Sequence, residues 1–228
     1  MICVKCGRTI EPSGAAFCPF CGTPAETRSN GPGPEAEKWL RQAVNTVSYP
    51  EKEKILLRAR EACPDCFEIE WELLFIGKKK KAARGRIDFS LIRSYLLEIY
   101  LTPEEFSDAE RDQMRSELFA NDQLERCRRL SGDPERMTEE YLHRLCREFI
   151  DLFMEGDSRI VRTLFGFRLD RNTDRVLSLH GAGVLARIRQ DAALEPEQKD
   201  LLYQAFYRAL SEKLEGRTQY LEEALADI

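Results

Sequence analysis

The chain has 228 residues, of which 43% are hydrophobic and 33% are charged, and its formal net charge is −5. This length is enough to bury a core, and the acidic balance disfavours nucleic-acid binding by the chain as a whole. No apolar stretch approaches the 18 or so residues that a membrane-spanning helix requires, so we expect no membrane partner.

Four cysteines at the N-terminus have the spacing of a metal site. Two Cys-x₂-Cys pairs are separated by eleven residues, and a glycine follows each pair. Zinc accepts four thiolates in a tetrahedron with no open position, and glycine allows the positive φ that such a turn often needs. We therefore predict one structural zinc ion. Its ligands are Cys3, Cys6, Cys18 and Cys21.

The segments CVKCGRTI and FCPFCG, residues 3–10 and 17–22, resemble the short N-terminal zinc ribbons of bacterial proteins, which are built from two zinc knuckles. The resemblance implies a small β ribbon over residues 1–24, whose folding depends on the metal. As a whole, the chain is similar to bacterial proteins in which such a ribbon precedes a helical C-terminal region. This wider resemblance implies no functional residues beyond the four cysteines.

Two other readings of the four cysteines remain open. They could form two disulfides, or they could bind iron in a rubredoxin-like site, because iron also accepts four thiolates. The first residues show neither the basic nor the apolar region of a signal peptide, so we expect a cytoplasmic protein with reduced thiols. A closed set of four thiolates also disfavours a catalytic zinc.

Residues 25–34 contain two glycines, two prolines and no apolar run, and they predict a flexible linker. From residue 35 onward apolar residues recur at intervals of three and four, which predicts an α-helical domain over residues 35–228. The domain is expected to be an irregular bundle or a repeat-like helical stack, and Trp39 and Trp71 lie near the spacing of tetratricopeptide units. No strands are expected outside the ribbon.

The predicted helices follow from this periodicity and from the breakers between them. In the first, Trp39, Leu40, Ala43, Val44 and Val47 are expected to share one face. Proline after Thr102 and two glutamates predict a capping box there. Gly181 and Gly183 are expected to interrupt a later helix. In chain order, the helices start at Glu35 and Pro50, span Phe67–Ile76, Ile87–Leu101, Thr102–Phe119, Gln123–Leu130, Thr138–Glu155, Asp174–Arg189 and Pro196–Leu214, and end with one after Gly216.

A basic run lies between two of the predicted helices. It places six cations in nine residues with no acid among them. Such a run can contact the phosphates of a nucleic acid or an acidic protein, but it can equally be a solvated connection. Arg126, Arg128 and Arg129 form a second basic cluster. The residues of the run are Lys78, Lys79, Lys80, Lys81, Arg84 and Arg86.

A second Cys-x₂-Cys pair could belong to a further metal site. Cys63 and Cys66 form the pair, and His143 and Cys146 lie three residues apart on one helical face. Together they could bind a second zinc. Glycine does not follow this pair, however, and buried apolar cysteines or a redox pair are the alternatives.

No glycine-rich phosphate loop, nucleophile motif or paired carboxylates suggest an enzyme. We therefore expect a non-enzymatic adaptor, or scaffold, that binds protein partners through the zinc ribbon. The alternative is a nucleic-acid-binding or regulatory protein that uses the ribbon and the basic run. The residues between the zinc ligands are the expected contact surface, namely Val4, Lys5, Arg8, Pro19 and Phe20.

Overall fold

The computed structural model describes residues 32–76, 93–154 and 172–227. These residues are helical and contain no strand, which confirms the all-α prediction for this part of the chain. The predicted β ribbon lies outside them. The chain divides into two compact units, Met1–Ile69 and Glu70–Ile228, and the division falls within one helix.

In the described part of the first unit, two helices pack against each other. α1 spans Pro34–Val44 and α2 spans Tyr49–Ala62. Proline stands in the first turn of each helix. Backbone N–H groups in the first turn make no intrahelical hydrogen bond, so proline, which lacks the N–H, loses none there. The predicted apolar face of α1 is only partly correct, because Val44 is 70% exposed and Val47, beyond the helix, is 95% exposed.

The segment before Thr102 and the helix that contains the division between the two units are both less regular than predicted. α3 spans Phe67–Leu74 and ends before Ile76. The predicted helix Ile87–Leu101 begins outside the described residues. Its described part is a 3₁₀ turn, Arg93–Leu97, followed by the short helix α4, Glu98–Leu101.

The next three helices are each capped by a side chain. α5 spans Asp108–Phe119, α6 spans Asp122–Ser131 and α7 spans Pro134–Phe149. Ser107, Asn121 and Asp133 each accept a hydrogen bond from a backbone N–H in the first turn. The prediction of a cap at Thr102 is therefore wrong: Thr102 makes no capping bond, and a 3₁₀ turn separates it from α5.

α7 is central to the core of the second unit. Its side chains Tyr141, Leu142, Leu145, Cys146 and Phe149 have no solvent exposure. A π-helical turn, Ile150–Met154, extends it in place of the regular helix predicted as far as Glu155. The ring of Phe149 lies 6.4 Å from that of Phe206 in a later helix, which joins the two helices through the core.

The last three described helices are joined to one another and to α7 by packing contacts. α8 spans Asn172–Gln190, α9 spans Pro196–Lys213 and α10 spans Gln219–Ala226. α9 packs against α7 and α8, and α10 packs against α8. The predicted interruption of α8 is wrong, because the helix continues through both glycines. Gly181 fits there because a Cβ at this position would lie 2.2 Å from Leu210 Cδ2.

Candidate functional site

The residues with the clearest predicted chemistry lie outside the described part of the chain. Cys3, Cys6, Cys18 and Cys21 precede residue 32, and the basic run Lys78–Arg86 falls between residues 76 and 93. The zinc site and the anion-binding run therefore stay predictions that rest on the sequence. The structure bears on the second Cys-x₂-Cys pair and on the charged side chains of the helices.

The four residues of the predicted second metal site have different surroundings. Cys63 and Cys66 are half-buried at the connection from α2 to α3, whereas Cys146 is fully buried in α7. His143 Nε2 lies 3.0 Å from Glu212 Oε2 of α9. Across the described ranges, no group of three or more His, Cys, Asp or Glu side chains is placed to hold a metal ion. A second zinc gains no support from this arrangement.

Three of the described thiols, those of Cys66, Cys127 and Cys146, have a raised pKa. Burial raises the pKa of Cys66, whose Sγ donates to Glu68 Oε2 at 3.2 Å. Burial and the charge of Glu70 raise the pKa of Cys127 to about 12. Burial alone raises the pKa of Cys146. Because the thiolate is the nucleophile and the metal ligand, complete burial disfavours both roles for Cys127 and Cys146 near neutral pH.

A buried carboxylate joins α3 to α6. Glu70 is only 1% exposed, and Arg126 Nε lies 2.6 Å from its Oε1. Gln123 Nε2 donates to Glu70 Oε2 at 2.5 Å and to the Glu70 backbone carbonyl at 3.0 Å. Cys127, buried on α6, completes this group, which we call the Glu70 cluster. A carboxylate removed from water needs such partners to stay charged.

The Glu70 cluster was not identified from the sequence, although one signal was present. Glu70 lies three and four residues before Leu73 and Leu74, so it shares the helical face that those two buried residues occupy. A charged residue on a core face implies a buried partner. The identity of that partner depends on the packing of α6, which periodicity cannot provide.

A second ion pair links α3 to α7 through aromatic rings. Arg144 makes two hydrogen bonds to the Glu72 carboxylate, at 2.8 and 3.3 Å. Its guanidinium carbon also lies 3.8 Å from the centre of the Phe75 ring. Phe75 packs edge-on to Trp71 at 5.1 Å, so cation and aromatic side chains form one layer. This layer fastens α3 to the central helix.

A second buried acid, Asp191, joins three segments. Asp191, just after α8, accepts hydrogen bonds from Tyr100 Oη at 2.9 Å and from Arg115 Nε at 2.7 Å. Burial and the Asp191 charge raise the pKa of Tyr100 above its ordinary range, so this phenol remains a donor. The Ala193 N–H donates to the other carboxylate oxygen. Asp191 thereby ties α4 and α5 to the α8–α9 connection.

The three arginines of α6 do not form one basic surface. Arg126 pairs with Glu70, and Arg128 contacts Glu125 and donates from Nε to Thr138 Oγ1 at 3.2 Å. Arg129 is exposed. Two of the three arginines therefore hold neighbouring elements together.

Comparison with known proteins adds no assignment. No family model, no curated protein and no solved structure matches this chain. The resemblance to zinc ribbons therefore rests on the cysteines and glycines of residues 3–22 alone. A search of the described helices for one long and apolar enough to cross a bilayer finds none.

Proposed function

We propose that this protein is a non-enzymatic adaptor that binds a protein partner through an N-terminal zinc ribbon carried by a helical scaffold. The proposal rests on the pair of Cys-x₂-Cys-Gly units that supply Cys3, Cys6, Cys18 and Cys21. Four thiolates close the coordination shell, so the single zinc would be structural and would shape a contact surface. Reduced thiols of this kind require a reducing compartment, and we propose the cytoplasm.

The charged residues of the helical part support a scaffold role. Glu70 and Asp191 are buried and Glu72 is half-buried, and each pairs with an arginine of another segment. Their charge is used in joining helices, because each carboxylate is balanced by its partner inside the protein. Such internal pairing suits a domain whose task is to hold its shape.

Metal analysis of the purified full-length chain tests the zinc site. We expect one zinc per chain, lost when Cys3 and Cys6 are changed to serine. The matched control changes Cys63 and Cys66 to serine and should keep the metal, since this pair lacks the following glycines. A protein with no zinc would contradict the proposal, whereas a second equivalent lost in the control variant would restore the second site.

Affinity capture with mass spectrometry tests the partner. The full chain is compared with residues 35–228 and with a Phe20→Ala/Arg8→Glu variant, which alters the expected contact surface but none of the zinc ligands. A partner retained by the full chain and lost from both others supports the adaptor role. If the truncated chain retains the same partners, the ribbon is not the binding element.

The basic run favours nucleic-acid binding as the second candidate. Residues Lys78–Arg86 present six cations and no acid. Binding through phosphates must weaken steeply as salt rises, because counterions are released from the nucleic acid. Changing all four lysines at positions 78–81 to glutamate should then abolish binding of RNA and DNA oligonucleotides. If the affinity for oligonucleotides changes neither with salt concentration nor with these substitutions, the basic run does not bind nucleic acid.

A further inference from the structure

The connection between α2 and α3 places two cysteines at the ends of one tight turn. Cys63 is the last residue of α2's hydrogen-bonding pattern, since its N–H donates to the Ala59 carbonyl at 2.8 Å. The N–H of Cys66 then donates to the Cys63 carbonyl at 3.3 Å. Pro64 and Asp65 form the exposed tip of the turn.

The separation of the Cα atoms at the two ends of this turn is compatible with a disulfide. The first and fourth Cα atoms of a β-turn are separated by less than about 7 Å, and disulfides join Cα atoms about 4.4–6.8 Å apart. Pro64 favours the turn because its ring presets φ at the second position. The turn therefore holds the two Cα atoms within the range that a disulfide requires.

Exposure distinguishes this pair from the other described cysteines. Cys63 and Cys66 are half-buried, whereas Cys127 and Cys146 have no solvent exposure. A small reagent can therefore reach the pair from the open side of the turn. The Glu68 carboxylate accepts a hydrogen bond from the Cys66 thiol, with 3.2 Å between Sγ and Oε2, and is in place to take up the thiol proton when the sulfur reacts.

We propose that Cys63 and Cys66 form a reversible disulfide site that exchanges with low-molecular-weight disulfides. One cysteine sulfur attacks the external disulfide, whose S–S bond breaks and releases one thiolate, and a mixed disulfide forms. The second cysteine sulfur attacks the bound cysteine, releases the other small thiolate and closes the Cys63–Cys66 bond. The two thiol protons leave through Glu68 and solvent and are taken up by the two released thiolates. Two protein thiols are oxidised and one external disulfide is reduced to two thiols.

Glutathione redox buffers test the site in the full-length, zinc-loaded chain. After equilibration, exposed thiols are alkylated in acid-quenched, denatured protein, which is then cut with trypsin. Cleavage after Arg60 and Lys78 yields residues 61–78, a peptide that contains Cys63 and Cys66 and no other cysteine. We expect this peptide to pass from doubly alkylated to unalkylated, and lighter by two hydrogen atoms, as the fraction of oxidised glutathione rises.

Single serine variants separate an internal disulfide from other thiol chemistry. Cys63→Ser and Cys66→Ser should each stop at a mixed disulfide with glutathione, and reducing buffer should reverse it. Zinc release, followed with a chromophoric chelator, reports oxidation of the N-terminal cysteines independently. The proposal is overturned if residues 61–78 remain doubly alkylated in excess oxidised glutathione, or if either cysteine pairs with a cysteine elsewhere in the chain.

Discussion

Arg126 of α6 lies over the buried carboxylate of Glu70 in α3, with 2.6 Å between Nε and Oε1. The carboxylate side chain is 1% exposed and the arginine side chain is 36% exposed, so the positive partner reaches water and the negative one does not. The facing atoms are not aligned as a regular hydrogen bond, and the contact is an ion pair. Gln123 supplies the directed hydrogen bond to the other oxygen.

This asymmetry predicts a large effect of removing Arg126. Arg126→Ala leaves a buried carboxylate with Gln123 as its remaining described partner, and we expect the free energy of unfolding to fall by about 2–4 kcal/mol. Arg129→Ala on the same helix removes an exposed cation and should change it by less than about 0.5 kcal/mol. Urea unfolding followed by circular dichroism measures both.

A double variant checks that the lost stability comes from the unpaired charge. Glu70→Gln removes the charge and keeps a side chain of the same size, so Arg126→Ala should be less destabilising in that background. Equal effects of Arg126→Ala in the two backgrounds would show that Arg126 acts through packing of its aliphatic part.

The sequence predicted which segments are helical far better than how they begin and meet. Apolar periodicity located the helices because burial of one face is a property of the segment itself. Caps and ion pairs depend on neighbours: Thr102 and Ser107 are both of a residue type that caps helices, and the chain uses Ser107. Gly181 was predicted to break α8, but its small size is needed against Leu210, which comes from a distant part of the sequence.

The cap of α5 gives a second prediction. Ser107 Oγ accepts from the Glu110 N–H at 3.4 Å, and the Ser107 N–H donates to the Glu110 carboxylate at 2.9 Å. Ser107→Ala removes one of these two bonds and should lower the free energy of unfolding by about 1 kcal/mol. Thr102→Ala, at the position where the cap was predicted, should have less than half that effect. A larger loss for Thr102→Ala would mean that the helix is capped there in solution.

The raised pKa of Cys127 predicts alkaline destabilisation. The folded state holds this thiol proton up to about pH 12, whereas an unperturbed cysteine releases it near 9.0. The unfolded chain therefore loses the proton first. Stability from this group is unchanged below about pH 9 and falls as the pH rises toward 12. The free energy of unfolding, measured between pH 7 and 11, should show the decline.

Cys127→Ala isolates the contribution of that thiol. The variant lacks the titrating group, so its alkaline decline should be shallower than that of the unchanged protein, although loss of the sulfur lowers stability at pH 7 by about 1 kcal/mol. Iodoacetamide should also label Cys127 far more slowly in the folded protein than in urea. Parallel pH profiles for the two proteins would rule out a titrating role for Cys127.

The two glycines of α8 provide a matched pair for the packing of α8 on α9. A Cβ on Gly181 would lie 2.2 Å from Leu210 Cδ2, while a Cβ on Gly183 would find its nearest neighbour at 3.9 Å, on the Arg187 side chain. Alanine favours a helix over glycine by about 1 kcal/mol, and that gain applies to both sites. Leu210 is buried and cannot turn its methyl group into water.

We therefore expect opposite signs. Gly183→Ala should raise the free energy of unfolding by about 0.5–1 kcal/mol, and Gly181→Ala should lower it by about 1–3 kcal/mol because overpacking outweighs the gain in helix propensity. Adding Leu210→Ala to Gly181→Ala should relieve the clash. The double variant should therefore lose less free energy of unfolding than the two single variants lose when their losses are added. Stabilisation by both alanines would mean that α8 and α9 are farther apart in solution than the structure places them.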